Sequence, residues 1–155
     1  MLAERGFIVT GLDISEAAIA WASERASGVA RFIVGDAVES IPGEYDFIVD
    51  GHCLHCIIGE DRQRLLTNVH NALAARGRFF VSTMCGEITH PPLRATFDPV
   101  SRCQIAFGIA RRFIGDANEL LEELRAAGFE IVRWEIRERE SAEDQDHLWA
   151  LAAKR

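Results

Sequence analysis

The sequence predicts an α/β fold in which helices cover both faces of a mostly parallel sheet. Short apolar runs alternate with stretches of helical periodicity along the 155 residues. Helices separate the first runs, which is typical of parallel strands joined by crossover connections. The last two runs have no helix between them and therefore predict an antiparallel hairpin at the C-terminus.

The first half of the chain contains a predicted strand at 7–12 that ends at Asp13. Ser15 is suited to cap a helix that extends to about Ala26. Four further elements are predicted in order: strands at 31–34 and 45–49, a helix at 61–75 that Gly77 ends, and a buried strand at 78–83.

The second half begins with a segment, 86–113, that shows no clear period and is longer than an ordinary connection. We expect it to act as a lid or acceptor-binding segment, with a helix around 103–110. Asp116 and Glu119 then predict a capping box for a helix that Gly128 ends. Strands at 129–137 and 147–152 follow, joined by a solvated acidic turn. We expect residues 1–155 to form a single domain.

Composition restricts the classes of partner. The net charge is -7, and no Lys/Arg cluster is larger than Arg111-Arg112, so nucleic acid is not an expected partner. The chain contains neither an apolar stretch of membrane-spanning length nor a secretory signal. We therefore expect a cytoplasmic protein, with its four cysteines present as thiols.

Acidic residues follow the predicted strands at the edge of the sheet where α/β folds bind ligands. The Asp13 carboxylate can accept hydrogen bonds from both hydroxyls of a ribose, and the Asp36 carboxylate can accept one from an adenine amino group. Taken singly, each is better explained as a cap or turn residue. The two in series, on adjacent strand ends, favour a nucleoside site.

These motifs carry a resemblance. The segments are Gly11-Leu12-Asp13-Ile14-Ser15, Val34-Gly35-Asp36-Ala37, Tyr45 to Asp50, and Leu73 through Gly77 into Phe79-Phe80-Val81. In this order they resemble consecutive motifs of class I S-adenosylmethionine-dependent methyltransferases. The closing helix, long strand and hairpin are also similar to that family's last elements. The resemblance implies a three-layer Rossmann-like methyltransferase sheet and S-adenosyl-L-methionine as cofactor.

The resemblance also implies a role for each matching position. Asp13, with Ile14 beside it, would bind the ribose hydroxyls, and Asp36 with Ala37 would hold the adenine. Asp50 and Gly51 would border the methionine end of the cofactor.

The sequence departs from the family at its start. The glycine-rich loop lies roughly 20 residues before the ribose-binding acid, whereas only 12 residues precede Asp13 and no G-x-G occurs anywhere. We therefore expect an N-terminally truncated fold that binds the cofactor weakly or not at all. The strands at 7–12 and 45–49 would lack their central neighbour, and such exposed edges predict self-association into a homodimer.

His52 and His55 are the candidate catalytic residues. Histidine suits a general base at neutral pH, although a hydrogen-bonded turn histidine explains either position equally well. Cys53 and Cys56 form a C-x-x-C. Structural zinc sites usually need two such pairs, and the flanking residues do not match a redox motif, so we predict no metal site and interpret the thiols as turn residues.

The leading functional hypothesis is methyl transfer to a small molecule, impaired in a truncated chain. The main alternative is a non-catalytic homologue that acts as a binding or assembly module. A third interpretation, a nicotinamide dinucleotide enzyme, shares the acid at the strand end but fits the Gly-Asp-Ala motif and the closing hairpin less well.

Overall fold

The computed structural model describes residues 2–26, 28, 30–141 and 143–155, which divide into two compact units, Met1–Pro42 and Gly43–Arg155. The first unit contains a 3₁₀ turn at Ala3–Arg5, strand β1 (Thr10–Asp13), helix α1 (Glu16–Ala26) and strand β2 (Arg31–Val34). The second contains β3 (Tyr45–Gly51), a 3₁₀ turn at Leu54–Cys56, α2 (Asp61–Ala72), β4 (Leu73–Met84), α3 (Pro91–Arg94), β5 (Phe97–Asp98), β6 (Cys103–Ala106), β7 (Ile109–Phe113), α4 (Ala117–Ala126), β8 (Phe129–Arg137) and β9 (His147–Lys154). This alternation confirms the predicted α/β class.

In the first unit, β1 and β2 form a two-stranded parallel sheet. The strand predicted at 7–12 begins later, at Thr10, because β2 supplies ladder partners only from Arg31 onward. Ile8, at 101% exposure, lies outside the sheet. The predicted helix start is confirmed, since Ser15 Oγ accepts a hydrogen bond from the Ala18 amide at 3.2 Å.

The second unit is built on a four-stranded sheet with the order β3-β4-β9-β8. β3 and β4 are parallel, while β9 runs antiparallel to both of its neighbours. The predicted C-terminal hairpin is confirmed, and its second strand is inserted between β4 and β8. This insertion places His147, the first residue of β9, opposite Met84 near the end of β4.

Helices α2 and α4 cover one face of this sheet and form the core of the second unit. α4 begins at the predicted capping box, in which Asp116 Oδ1 accepts from the Asn118 amide and Glu119 accepts from the Asp116 amide. The buried apolar side chains come from both layers: Phe79, Val81, Phe129, Leu148, Ala150 and Ala152 from the strands, and Leu65, Leu66, Val69, Leu120, Leu121 and Leu124 from the helices.

The sequence had predicted that Gly77 ends α2, and this prediction is wrong. The helix ends at Ala72, and β4 starts at Leu73 and runs through Gly77. A Cβ at position 77 would lie 3.1 Å from the Tyr45 carbonyl oxygen and 3.0 Å from that of Ala74. The glycine therefore permits close backbone approach inside a strand, a role that the sequence pattern does not separate from a helix stop.

The segment 86–113 is more regular than predicted. It contains the short helix α3 and a three-stranded antiparallel sheet, β5-β6-β7. The helix expected around 103–110 is wrong, because Phe107 and Gly108 both have left-handed φ angles, of 55° and 75°. Two consecutive residues with positive φ form a tight hairpin turn, which reverses the chain between β6 and β7.

β1 and β3 each have a ladder partner on one side in the described part of the chain, β2 and β4 respectively. Phe47 and Val49 on β3 are each 50% exposed. The homodimer expected from these edges stays a prediction. In the ranges that the structure covers, no helix has the length and apolar character needed to cross a membrane.

Candidate functional site

The first unit holds two carboxylates at adjacent strand ends. Asp13 ends β1 and is exposed, and the Gly35 amide donates to the Asp13 carbonyl oxygen at 3.0 Å. Asp36 therefore follows at the same edge of the sheet. One oxygen of each carboxylate accepts from a local amide, Ser15 for Asp13 and Val38 for Asp36, both at 2.8 Å. A carboxylate can accept about four hydrogen bonds, so both keep capacity for a ligand.

Apolar surface and close packing accompany these two acids. Ile14, directly after Asp13, is 70% exposed, and Ala37 is partly buried. A Cβ at Gly11 would lie 2.7 Å from the Phe32 ring, so the strand must stay bare there to pack against its neighbour. Two acceptors and an exposed aliphatic side chain fit the hydroxyls, amino group and ring of an adenosine moiety.

In the second unit, Asp50 organises the turn that follows β3. Its carboxylate is buried and accepts hydrogen bonds from the backbone amides of Cys53 and Leu54. Burial raises the pKa of this carboxyl, and the two amides oppose that rise. Gly51 lies beside it with an ordinary φ, and a Cβ there would meet no atom within 4 Å. The fold therefore leaves open space at Gly51 without requiring glycine.

Three histidines meet at the edge of the sheet where β3 and β4 end. The ring centroids of His52 and His55 lie 5.8 Å apart, and His147 lies 5.0 Å from His52 and 6.3 Å from His55. We call these residues the histidine cluster. The sequence predicted the first two members, and it missed His147 because nothing in the pattern places β9 beside β4.

The members of the histidine cluster differ in exposure and in charge. His52 is exposed and has a left-handed φ of 71°, whereas His55 is buried at 3% exposure. Burial, followed by the charges of His52 and Arg112, lowers the pKa of His55 to about 4. Burial and then the charge of His52 also lower the pKa of His147. His55 and His147 are therefore neutral at pH 7.

Arg62 fixes the 3₁₀ turn that carries His55. Its guanidinium donates to the carbonyl oxygens of Leu54 at 2.7 Å and Ile57 at 3.1 Å. It also donates to both carboxylate oxygens of Glu123, at 2.8 and 2.7 Å, and lies 4.3 Å from the Phe113 ring centroid. One buried cation thus ties the turn to α4 and β7.

Most of the buried polar atoms without partners lie at the same edge. In the described chain, the unpartnered atoms are His55 Nδ1, Ser82 Oγ, Thr83 Oγ1 and His90 Nδ1. Ser82 and Thr83 are near the end of β4, against which the His55 turn packs. Such orphans are rare in native proteins, so the three at this edge, on His55, Ser82 and Thr83, mark a candidate ligand site.

The thiols do not add to this site. All four cysteines are present as thiols, with Cys53 and Cys56 exposed and Cys85 and Cys103 buried. Among the residues with described positions, no group of three or more His, Cys, Asp or Glu side chains has a metal-binding arrangement.

Comparison with known families now bears on both units. A family model described as a methyltransferase domain matches residues 1–81, which is more than half of the chain. The chain belongs to the methyltransferase domain family. The predicted methyltransferase family and the Rossmann-like α/β fold are confirmed.

Solved structures agree with this assignment. A 1,6-didemethyltoxoflavin-N1-methyltransferase from Burkholderia thailandensis, solved with 1,6-didemethyltoxoflavin and S-adenosylhomocysteine bound, is 26% identical with a TM-score of 0.77. The alignment covers 97% of this chain but only 63% of that enzyme. A SAM-dependent methyltransferase from Methanosarcina mazei is 24% identical with a TM-score of 0.76, over 99% of this chain and 84% of that one.

A third structure is the N-methyltransferase NodS from Bradyrhizobium japonicum in complex with S-adenosylhomocysteine. It is 17% identical with a TM-score of 0.68, over 95% of this chain and 66% of that one, and it shows the fold alone. No protein of curated function matches the sequence significantly.

Proposed function

We propose that this chain carries out S-adenosylmethionine-dependent methyl transfer to a small molecule. The observation that carries the proposal is the pair of carboxylates, Asp13 and Asp36, held at one sheet edge by the bond from the Gly35 amide. Asp13 with Ile14 would hold the ribose, and Asp36 with Ala37 would hold the adenine. When bound, the cofactor supplies an electrophilic methyl group on a positively charged sulfur.

Asp50 and Gly51 would border the methionine end of the cofactor, as the family resemblance implies. Open space at Gly51 supports approach of a ligand to β3. Asp50 would hold the backbone of the turn after β3 through its buried carboxylate. His52 would serve as the general base, and His55 would be its buried neighbour. The segment 86–113, with its three-stranded sheet, would cover the acceptor. The Burkholderia structure contains bound 1,6-didemethyltoxoflavin as well as S-adenosylhomocysteine, which supports a small-molecule acceptor.

Titration calorimetry with S-adenosylhomocysteine tests the nucleoside site. Hydrogen bonds to charged groups contribute about 1.5–3 kcal/mol, so Asp13→Asn and Asp36→Asn should each weaken binding by about tenfold to a hundredfold. Glu24→Gln is the matched control, since it removes one exposed negative charge from α1 in the same unit.

Equal affinity for wild type and both aspartate variants would refute the site assignment. Absence of binding in every variant, with folding intact, would instead favour a non-catalytic homologue that serves as a binding or assembly module.

A further inference from the structure

We propose that His147 is a positioning residue for His52, and that the histidine cluster selects acceptors whose nucleophile is an O–H or N–H group. This inference rests on the proposed function, since it names the acceptor class of that same site. Its basis is the geometry of three rings supplied by two distant parts of the chain, at an edge that also holds unpartnered buried polar atoms.

His52 is the member that can touch an acceptor. It is exposed, and its φ of 71° is a conformation that residues other than glycine rarely adopt. The Asp50 carboxylate secures the next residues by binding the amides of Cys53 and Leu54, so the fold maintains this conformation. Backbone strain that the surroundings maintain is characteristic of functional sites.

His147 supports the ring of His52 from β9. The two rings meet edge to face, with an interplanar angle of 85° at 5.0 Å. β9 pairs with β4 along its length and with β8 on its other side, so its first residue is held by a sheet rather than by a loop. The contact therefore limits where the exposed ring can lie.

The charges around the cluster favour a single protonation. His55 faces Arg62 and Arg112, while His147 faces Asp144 and Asp146, and both histidines face His52. Because the lowered pKa values keep His55 and His147 neutral, a proton that arrives on His52 meets no second imidazolium. Asp50 also interacts electrostatically with His52.

The proton balance defines the acceptor class. The acceptor's lone pair forms the bond to the methyl carbon, and the methyl–sulfur bonding pair stays with sulfur. The acceptor's proton passes to an imidazole nitrogen of His52, from which solvent can remove it. Thiols that ionise near neutral pH and carboxylates arrive without that proton and do not need the base.

Two probes of one shape separate these classes: phenol and thiophenol, each supplied with S-adenosylmethionine. A general base contributes about 10²- to 10⁴-fold to the rate. His52→Asn should therefore lower kcat for phenol by about a hundredfold, and His147→Asn by about tenfold with little change in KM. Neither variant should alter thiophenol methylation, and His70→Asn, a substitution on α2 where the ring packs against Phe129, should change neither reaction. Equal losses with both probes, or none with phenol, would overturn the inference.

A second readout does not depend on activity. In an NMR titration of the imidazole rings, His52→Asn should raise the pKa of His147 and of His55, because the charge of His52 lowers both. Unchanged titration of both would overturn the electrostatic coupling. If neither probe yields product and S-adenosylhomocysteine does not bind, the proposed function fails and the acceptor class with it, while the titration still decides whether the cluster is coupled.

Discussion

At the residue scale, some residues of the candidate site hold the backbone in place, whereas others are accessible to a ligand. Asp50 was predicted to border the cofactor, but its carboxylate is buried and engaged by two amides of its own turn. Gly51 beside it is exposed, with free space in the direction of a Cβ. Of these two neighbours, the glycine is therefore the better candidate for direct contact with the cofactor.

The depressed pKa of His55 predicts a loss of stability in acid. The unfolded chain takes up a proton near pH 6.5, whereas the folded chain does so only near pH 4. This contribution to stability is complete above pH 6.5 and declines as the pH falls toward 4. Urea unfolding should show a loss of about 2 kcal/mol from this group between about pH 7.5 and pH 5.

His55→Asn should remove that part of the pH dependence, because asparagine does not titrate. The variant will be less stable at pH 7.5, but its decline toward pH 5 should be shallower than that of the wild type. Parallel curves for the two proteins would contradict the low pKa.

The candidate site could be predicted only in part from single residues. The position of Asp13 and Asp36 at adjacent strand ends could be predicted, because strand ends can be identified in sequence, and their role at the nucleoside site stays a prediction. His147 was not, since its position depends on which strand β9 pairs with, and that pairing is a long-range property. Arg62 was likewise missed, because a helical arginine is usually solvated and only the fold places Glu123 and Phe113 around it.

At the element scale, Arg62 should contribute more to the free energy of unfolding than Arg64, the other arginine on α2. Arg62→Met leaves Glu123 without its partner and two carbonyl oxygens without their donor. Breaking a buried pair costs about 3–5 kcal/mol. Arg64→Met removes an exposed pair with Asp61 on the same helix, which is worth at most about 1 kcal/mol. Guanidinium unfolding of both variants checks the contrast, and similar losses would show that the buried network carries no special weight.

The β6–β7 turn offers a stabilising substitution. Phe107 is 95% exposed and adopts a left-handed φ of 55° before Gly108. Asparagine tolerates that conformation better, and Asn-Gly is a preferred pair for such turns. Phe107→Asn should therefore raise the unfolding free energy by about 0.5–1 kcal/mol. A clear loss in thermal unfolding would mean that the Phe107 ring has a partner that favours this strained turn.

Elements with strong local signals were predicted well, and those set by distant contacts were not. The capping box at Asp116 located α4, and Ser15 located the start of α1. The β6–β7 hairpin was predicted as a helix, because its turn residues, Phe107-Gly108, lack the usual Asn-Gly signature. Gly77 was misread because only the fold places the Tyr45 carbonyl next to it.

At the scale of the whole molecule, the two units differ in how much they bury. In the described part of the first unit, Ala26 and Val38 are the buried apolar residues, whereas the second unit has a continuous core. Two strands and one helix bury too little apolar surface for independent stability. The first unit, which holds both candidate nucleoside carboxylates, should therefore gain the most from a bound ligand.

The most direct test of the methyltransferase assignment is amide hydrogen exchange with and without saturating S-adenosylhomocysteine. If the chain binds its cofactor as proposed, exchange will slow around Asp13–Ser15 and Asp36–Val38, and the change will be smaller in Asp13→Asn. Protection confined to other parts of the chain, or no protection at ligand concentrations that saturate wild-type binding, would contradict the assignment.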